Sequence, residues 1–246
     1  MIRNVNGLAV TERGPTHRLN GEPNQDACLR SRGLYGLLVV VADGLGSRPQ
    51  SDHGSRNACL AARDAIRYWS ANPLSPPERL APLIQALWRV RIAPVHPDEC
   101  ATTCLFALRQ PTGQWVIGGI GDGMAAIRED ERDISYVIGR ERTGFNNQTV
   151  GLGASKSASD WRFAVYPPSP VPSVALIATD GIADDIIPEQ LQSFATWIAE
   201  TLDGISPRHR SNSVRSMLRG WPTAKHSDDK SIAIIWESAQ RGCTDE

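Results

Sequence analysis

No apolar run in the sequence approaches the ~20 residues that a membrane span requires. The start, MIRNVNGLAV, also lacks the apolar segment of a secretory signal. A cytoplasmic protein with no membrane partner is therefore expected. An excess of either charge is missing too: 26 Lys and Arg face 27 Asp and Glu, for a formal net charge of −1. That balance argues against nucleic acid as a partner. Cysteine is scarce, and Cys28, Cys59, Cys100, Cys104 and Cys243 make an odd number at irregular positions, which argues against a disulfide framework. Cys100 and Cys104 have no second pair or histidine cluster to complete a zinc site, so they read as buried thiols. Internal repeats, low-complexity linkers and charge blocks are absent. One domain over residues 1–246, acting as a monomer, is the simplest expectation.

What is present is an ordinary globular composition, 41% hydrophobic and 22% charged, with one recurring pattern. In GLYGLLVVVADGLGS, residues 33–47, an aliphatic run suited to a buried strand leads straight into Asp43 and Gly44. A single Asp-Gly pair reads most simply as a turn. The pattern recurs, however, in WVIGGIGDG, which ends in Asp122-Gly123, and in VALIATDGIADD, which carries Asp180-Gly181. Asp26 in PNQDAC and the Asp228-Asp229 pair in KHSDDKSIAII are further candidates. Carboxylates gathered in one cleft repel one another unless cations compensate them. Mg²⁺ and Mn²⁺ are the natural compensation, because they prefer oxygen ligands and keep part of their water shell. A glycine after each acid would let the backbone approach such an ion.

Periodicity places strands at residues 8–11, 27–31, 35–42, 103–108, 115–120, 124–128, 134–138, 162–166, 174–179 and 232–236. A helix follows Ser51, read as its N-cap, with Ala58, Ala62, Ala65 and Trp69 at helical spacing. A second opens at Pro76-Pro77 and buries Leu80, Leu83, Ile84 and Leu87. Two more carry Leu191, Phe194, Ile198 and Leu202, closed by Gly204, and Val214, Met217 and Leu218. Strands grouped with strands, with helices inserted in pairs, predict an α+β fold of packed antiparallel sheets with helices outside. The polar segment at 139–159 reads as a surface loop.

Taken in order, NQDA, VVVADGLGS, ATTCLFAL, GIGDGMAAI, ATDGIADD and SDDKSIAII resemble the motif series of the protein phosphatase 2C family, the metal-dependent serine/threonine phosphatases. The likeness spans nearly the whole chain. It implies an αββα sandwich of two antiparallel sheets flanked by helices. It also implies two Mn²⁺ or Mg²⁺ ions, with Asp43 bridging them and Gly44 supplying a carbonyl. Asp180 and Asp228 match ligands of the first ion, and Asp26 matches the early acidic position near the second. Asp122 matches the residue of a third, weaker site, and Asp184 the second acid of a D-G-x-x-D motif. The implied reaction is direct, in-line attack on a phosphoprotein monoester by a hydroxide shared between the ions, with no phosphoenzyme. The implied partners are a phosphorylated protein and the serine/threonine kinase that makes it.

The chain departs from that pattern in three places. Gln25 stands where the family usually has Glu, and Leu45 where some members have a histidine; His53 follows it. The family's phosphate-binding arginine falls a few residues before the first acid, whereas here Arg18 stands further away, next to His17. Arg18 and His17 are the candidates for the substrate phosphate. A basic flap is expected over residues 139–145. Two other functions fit such a chain: an inactive relative that binds phosphoproteins as a scaffold, and a phosphatase of small phosphate esters. Retention of Asp43, Asp180 and Asp228 favours the enzyme.

Overall fold

The structure, a computed structural model, describes residues 3–72, 75–128, 134–138, 150–155, 157–221 and 227–239. The expected flap at 139–145, most of the loop that follows it, and Cys243 lie outside the described residues. In chain order the elements are β1 (Arg3–Glu12), α1 (Pro15–Asn20), β2 (Asp26–Gly33), β3 (Gly36–Asp43), α2 (Ser51–Trp69), α3 (Leu80–Ile92), β4 (Cys104–Arg109) and β5 (Trp115–Ile120). They continue with β6 (Met124–Arg128), β7 (Ile134–Ile138), β8 (Arg162–Tyr166), β9 (Val174–Ala178), α4 (Asp180–Ala183), α5 (Leu191–Gly204), α6 (Pro207–Arg219) and β10 (Lys230–Ala239). The strands form two five-stranded sheets, β1-β10-β9-β6-β7 and β2-β3-β4-β5-β8. Every pairing in them is antiparallel.

The unbroken aliphatic run of β3 follows from burial on both faces. Leu37, Val39 and Val41 point to the other sheet, where they meet Ala175, Ile177, Ala233 and Ile235. Leu38, Val40 and Ala42 point the other way, onto α2 and α3 through Ala58, Ala62, Ile84 and Trp88. The second sheet is covered likewise, with Leu176, Ile232 and Ile234 packed on Ile198 and Leu202 of α5 and Val214 and Leu218 of α6. Four layers result: helices, sheet, sheet, helices. A half-exposed antiparallel sheet would have shown alternation. Here both central strands read as continuous hydrophobic runs because each is covered twice.

Several boundaries differ from those read in the sequence. β1 and β10 are each ten residues long, because their full-length pairing from Arg3↔Ala239 to Glu12↔Lys230 draws in polar residues that periodicity alone leaves out. Ser51 is the first residue of α2 and not its cap; Gln50 precedes it and makes no side-chain capping bond. The β2–β3 turn falls at Leu34 and Tyr35. Short α1 and α4 were not foreseen, since four to six residues hold too little periodicity to register.

Candidate metal centre

The site lies where one end of each sheet meets the other. Asp26 opens β2 and Asp43 closes β3, and the antiparallel register sets them directly opposite one another. The backbone of Asp43 is held from the β4 side. Its N–H donates to Thr103 Oγ1 at 2.8 Å. Its carbonyl accepts from the Thr103 N–H and the Thr102 hydroxyl, each at 2.8 Å. Beyond it, the Gly44 N–H donates to the Gln25 carbonyl at 3.2 Å. Two adjacent threonines just ahead of β4 therefore fix the backbone from which the Asp43 carboxylate projects.

From the other sheet come Asp180, at the first turn of α4 just past β9, and Asp228 with Asp229, just before β10. Thr179 joins the two sheets: its hydroxyl donates to Asp26 Oδ2 at 2.8 Å and accepts from the Ser231 N–H at 3.0 Å. The glycines after the acids serve packing. A Cβ on Gly44 would lie 2.6 Å from the Ser51 carbonyl oxygen, and one on Gly181 would lie 2.1 Å from that of Asp229. Close approach of protein backbone, rather than room for an ion, requires glycine at both places.

Asp43, Asp180, Asp228 and Gly44 line a cleft of about 380 Å³ with His17, Gln25, Leu45, Gly46, Ser47, Arg48 and Ala154. Burial pushes the Asp43 carboxyl well above its usual range, and the charges of Asp26, Asp180 and Asp228 push it further. Asp180 is raised to about 6 by burial and by Asp122 and Asp228. Asp26 is pushed to about 8 by burial, with Asp229 adding to it and bonds from Ser231 and Thr179 opposing it. Such mutual repulsion marks a set of acids arranged for a positive charge that the described residues do not supply. All the donors are hard oxygens, so the set fits Mg²⁺ or Mn²⁺.

Not every residue singled out in the sequence lines this cleft. Asp26 is 4% exposed and sits behind Asp43. Asp122 is exposed beside Asp180, which also feels Asp184. Asp229, 2% exposed, is turned into the protein. It accepts from the Gly14 and Gln25 N–H groups at 2.6 Å each, and lies 2.9 Å from His17 Nδ1. His17 is thus oriented at the cleft wall. Arg18 is turned away, donating to Glu12 Oε1 at 2.7 Å and to the Arg13 carbonyl, with its side chain half exposed. The extra residues of its loop carry it to β1 and not toward the acids. His53 does not line the cleft either; its main-chain carbonyl accepts from Asn57 within α2. Four contributors were missed in the sequence: Thr102, Thr103 and Thr179, whose roles depend on register, and Arg48, which belongs to no spacing pattern.

A profile of the family described as protein phosphatase 2C matches residues 13–219. No curated protein gives a match. Among solved structures, RsbX in complex with magnesium is 16% identical with a TM-score of 0.59, covering 96% of this chain and 100% of its own. The catalytic domain of the serine/threonine phosphatase PstP with two manganese ions is 15% identical at a TM-score of 0.60, covering 97% and 100%. The Ser-Thr phosphatase MsPP from Mycobacterium smegmatis, in complex with cacodylate, is 20% identical at 0.56, covering 94% and 97%. These likenesses are ones of fold. The sequence profile, extending over most of the chain and over Asp26, Asp43, Asp122 and Asp180, shows that the chain belongs to the protein phosphatase 2C family.

Proposed function

We propose that the protein is a Mn²⁺- or Mg²⁺-dependent phosphatase that hydrolyses phosphoserine and phosphothreonine in proteins. The observation that carries this reading is the convergence of Asp43, Asp180 and Asp228 on one cleft with no cation bonded to them among the described residues. Asp43, between the other acids, would be shared by two ions; Asp180 and Asp228 would hold one of them and the Gly44 carbonyl the other. Asp122, on the exposed side of Asp180, would serve a third. The ions, when bound, supply Lewis acidity toward the phosphoryl oxygens and a water acidic enough to act as nucleophile.

The chain's own groups do the rest. Asp26, buried behind Asp43, sets the orientation of that carboxylate together with Thr179, Thr102 and Thr103. His17, held through Nδ1 by Asp229 and with Nε2 3.6 Å from Glu22 Oε2, stands at the cleft wall, where its protonated ring would supply the proton that the leaving alkoxide takes up. A cysteine nucleophile does not fit: none of the described cysteines lines the cleft, and burial pushes Cys28 and Cys104 up to about 12. Among the described residues, no helix is long and apolar enough to cross a membrane. That is compatible with a cytoplasmic enzyme acting opposite a serine/threonine kinase.

Turnover of a phosphopeptide panel with Mn²⁺, with Mg²⁺ and with chelator tests the reading. Hydrolysis that requires the metal is expected, and Asp43→Asn should abolish it while near-UV circular dichroism stays native. The loss in kcat/KM should exceed the ~10–100-fold that removal of an outer hydrogen-bonding partner costs. Metal-dependent turnover by the folded variant would overturn the assignment.

A further inference from the structure

With Arg18 bound to Glu12, the cleft needs another group for a phosphate dianion, and Arg48 is placed to be it. Arg48 lines the cleft, five positions beyond Asp43. Its Nε is buried with no hydrogen-bond partner among the described residues. Its guanidinium makes no ion pair among the described residues, unlike Arg3 and Arg109, which both bind Glu237, or Arg219, which binds Glu12. The backbone around it is fixed: the Arg48 N–H donates to the Leu45 carbonyl at 2.9 Å, the Leu45 N–H to the Ala101 carbonyl at 2.9 Å, and the Ser51 N–H to the Arg48 carbonyl at 3.3 Å. A larger cleft, about 520 Å³ at the far end of the β2–β3 hairpin, is lined by Arg3, Arg32 and Arg109. Those arginines are already engaged, Arg3 and Arg109 by Glu237 and Arg32 by the Val5 carbonyl.

A buried guanidinium nitrogen left unpaired is costly, and native proteins keep few of them. Among the described residues Arg48 is the one arginine at the cleft wall, and the carboxylates there are the groups that metal ions would neutralise. Once they are neutralised, the guanidinium is free to meet an anion. Its planar fork matches two phosphoryl oxygens, which a point charge does not. We infer that Arg48 binds the phosphoryl group of the substrate in this cleft, an inference that rests on the phosphatase reading above.

Inorganic phosphate is the probe, titrated calorimetrically into the Mg²⁺-loaded protein, alongside kcat/KM for a phosphopeptide. Arg48→Ala should weaken phosphate binding by roughly 10- to 100-fold, the range of a charge-assisted bond. It should lower kcat/KM similarly and leave the Mg²⁺ concentration for half-activation unchanged. Arg48→Lys keeps the stem and the charge and so guards against a folding defect; it should recover only part of the affinity. Phosphate affinity within about twofold of the parent in Arg48→Ala, a lysine variant equal to the parent, or a parent that binds no phosphate would each overturn the inference. A parent that binds phosphate through Arg48 yet hydrolyses no phosphopeptide would instead overturn the phosphatase reading and leave Arg48 in place.

Discussion

Adjacent acids in SDDK have opposite environments, and this separates two kinds of loss. Asp228 is exposed at the cleft, where its charge helps raise Asp43 and Asp180. Asp229 is buried and satisfies two backbone N–H groups and His17. Asp228→Asn should therefore remove metal-dependent activity with no loss of metal-free Tm. Asp229→Ala should leave buried donors unpaired, at a cost of about 3 kcal/mol or more. In a domain of this size that is a fall of roughly 10 °C in Tm. Calorimetry of the two variants without metal checks the pair, and an equal fall in both would show the register to be wrong. The acids were legible in the sequence because each stands at the end of an apolar run. Arg48 was not, because its role depends on what it fails to bond, and Arg18 misled because nearness in sequence to Asp26 says nothing of the Glu12 carboxylate that claims it.

At the scale of elements, strands were the legible part. β5, β6, β7 and β8 have the bounds that periodicity sets, since bulky alternating or continuous apolar residues between turns leave little choice of register. What the pattern could not show is how the two sheets are fastened at the site. That is the work of Thr179, one position past the end of β9, which bonds to β2 through Asp26 and to β10 through Ser231. Thr179→Val keeps the shape but strands the Ser231 N–H and removes a donor from Asp26. The expected cost is about 1–3 kcal/mol by chemical denaturation. Activity should fall as well, since Asp26 would no longer hold its place behind Asp43. A variant with unchanged stability would show that water replaces the hydroxyl and that the fastening lies elsewhere.

For the whole molecule, two covered sheets supply the burial that lets a cluster of repelling acids persist at one end. The consequence is a pH dependence of unusual sign. Asp180 is raised to about 6 and Asp26 to about 8, and Asp43 is also raised, whereas an unfolded aspartate titrates near ~3.9. Between about pH 4 and pH 8 the metal-free folded state therefore holds protons that the unfolded chain has released. Its stability is fully present below that window and is lost as pH rises through it. Asp64 works in the opposite sense, since bonds from Arg63 and Arg91 outweigh its partial burial and hold it low, but it titrates below this window. Mg²⁺ bound at the proposed centre would take the place of those protons and bind only the folded state, so its stabilisation should grow with pH. Scanning calorimetry from pH 5 to pH 8 should show a metal-free Tm that falls by several degrees, and a Mg²⁺-induced rise that is small at the acid end and largest at the alkaline end. Asp43→Asn should flatten both trends, because it removes the charge that the other acids repel most directly. A metal-free Tm that climbs across this window would mean that the acids are already compensated within the protein, and the case for a metal centre at Asp43 would fall with it.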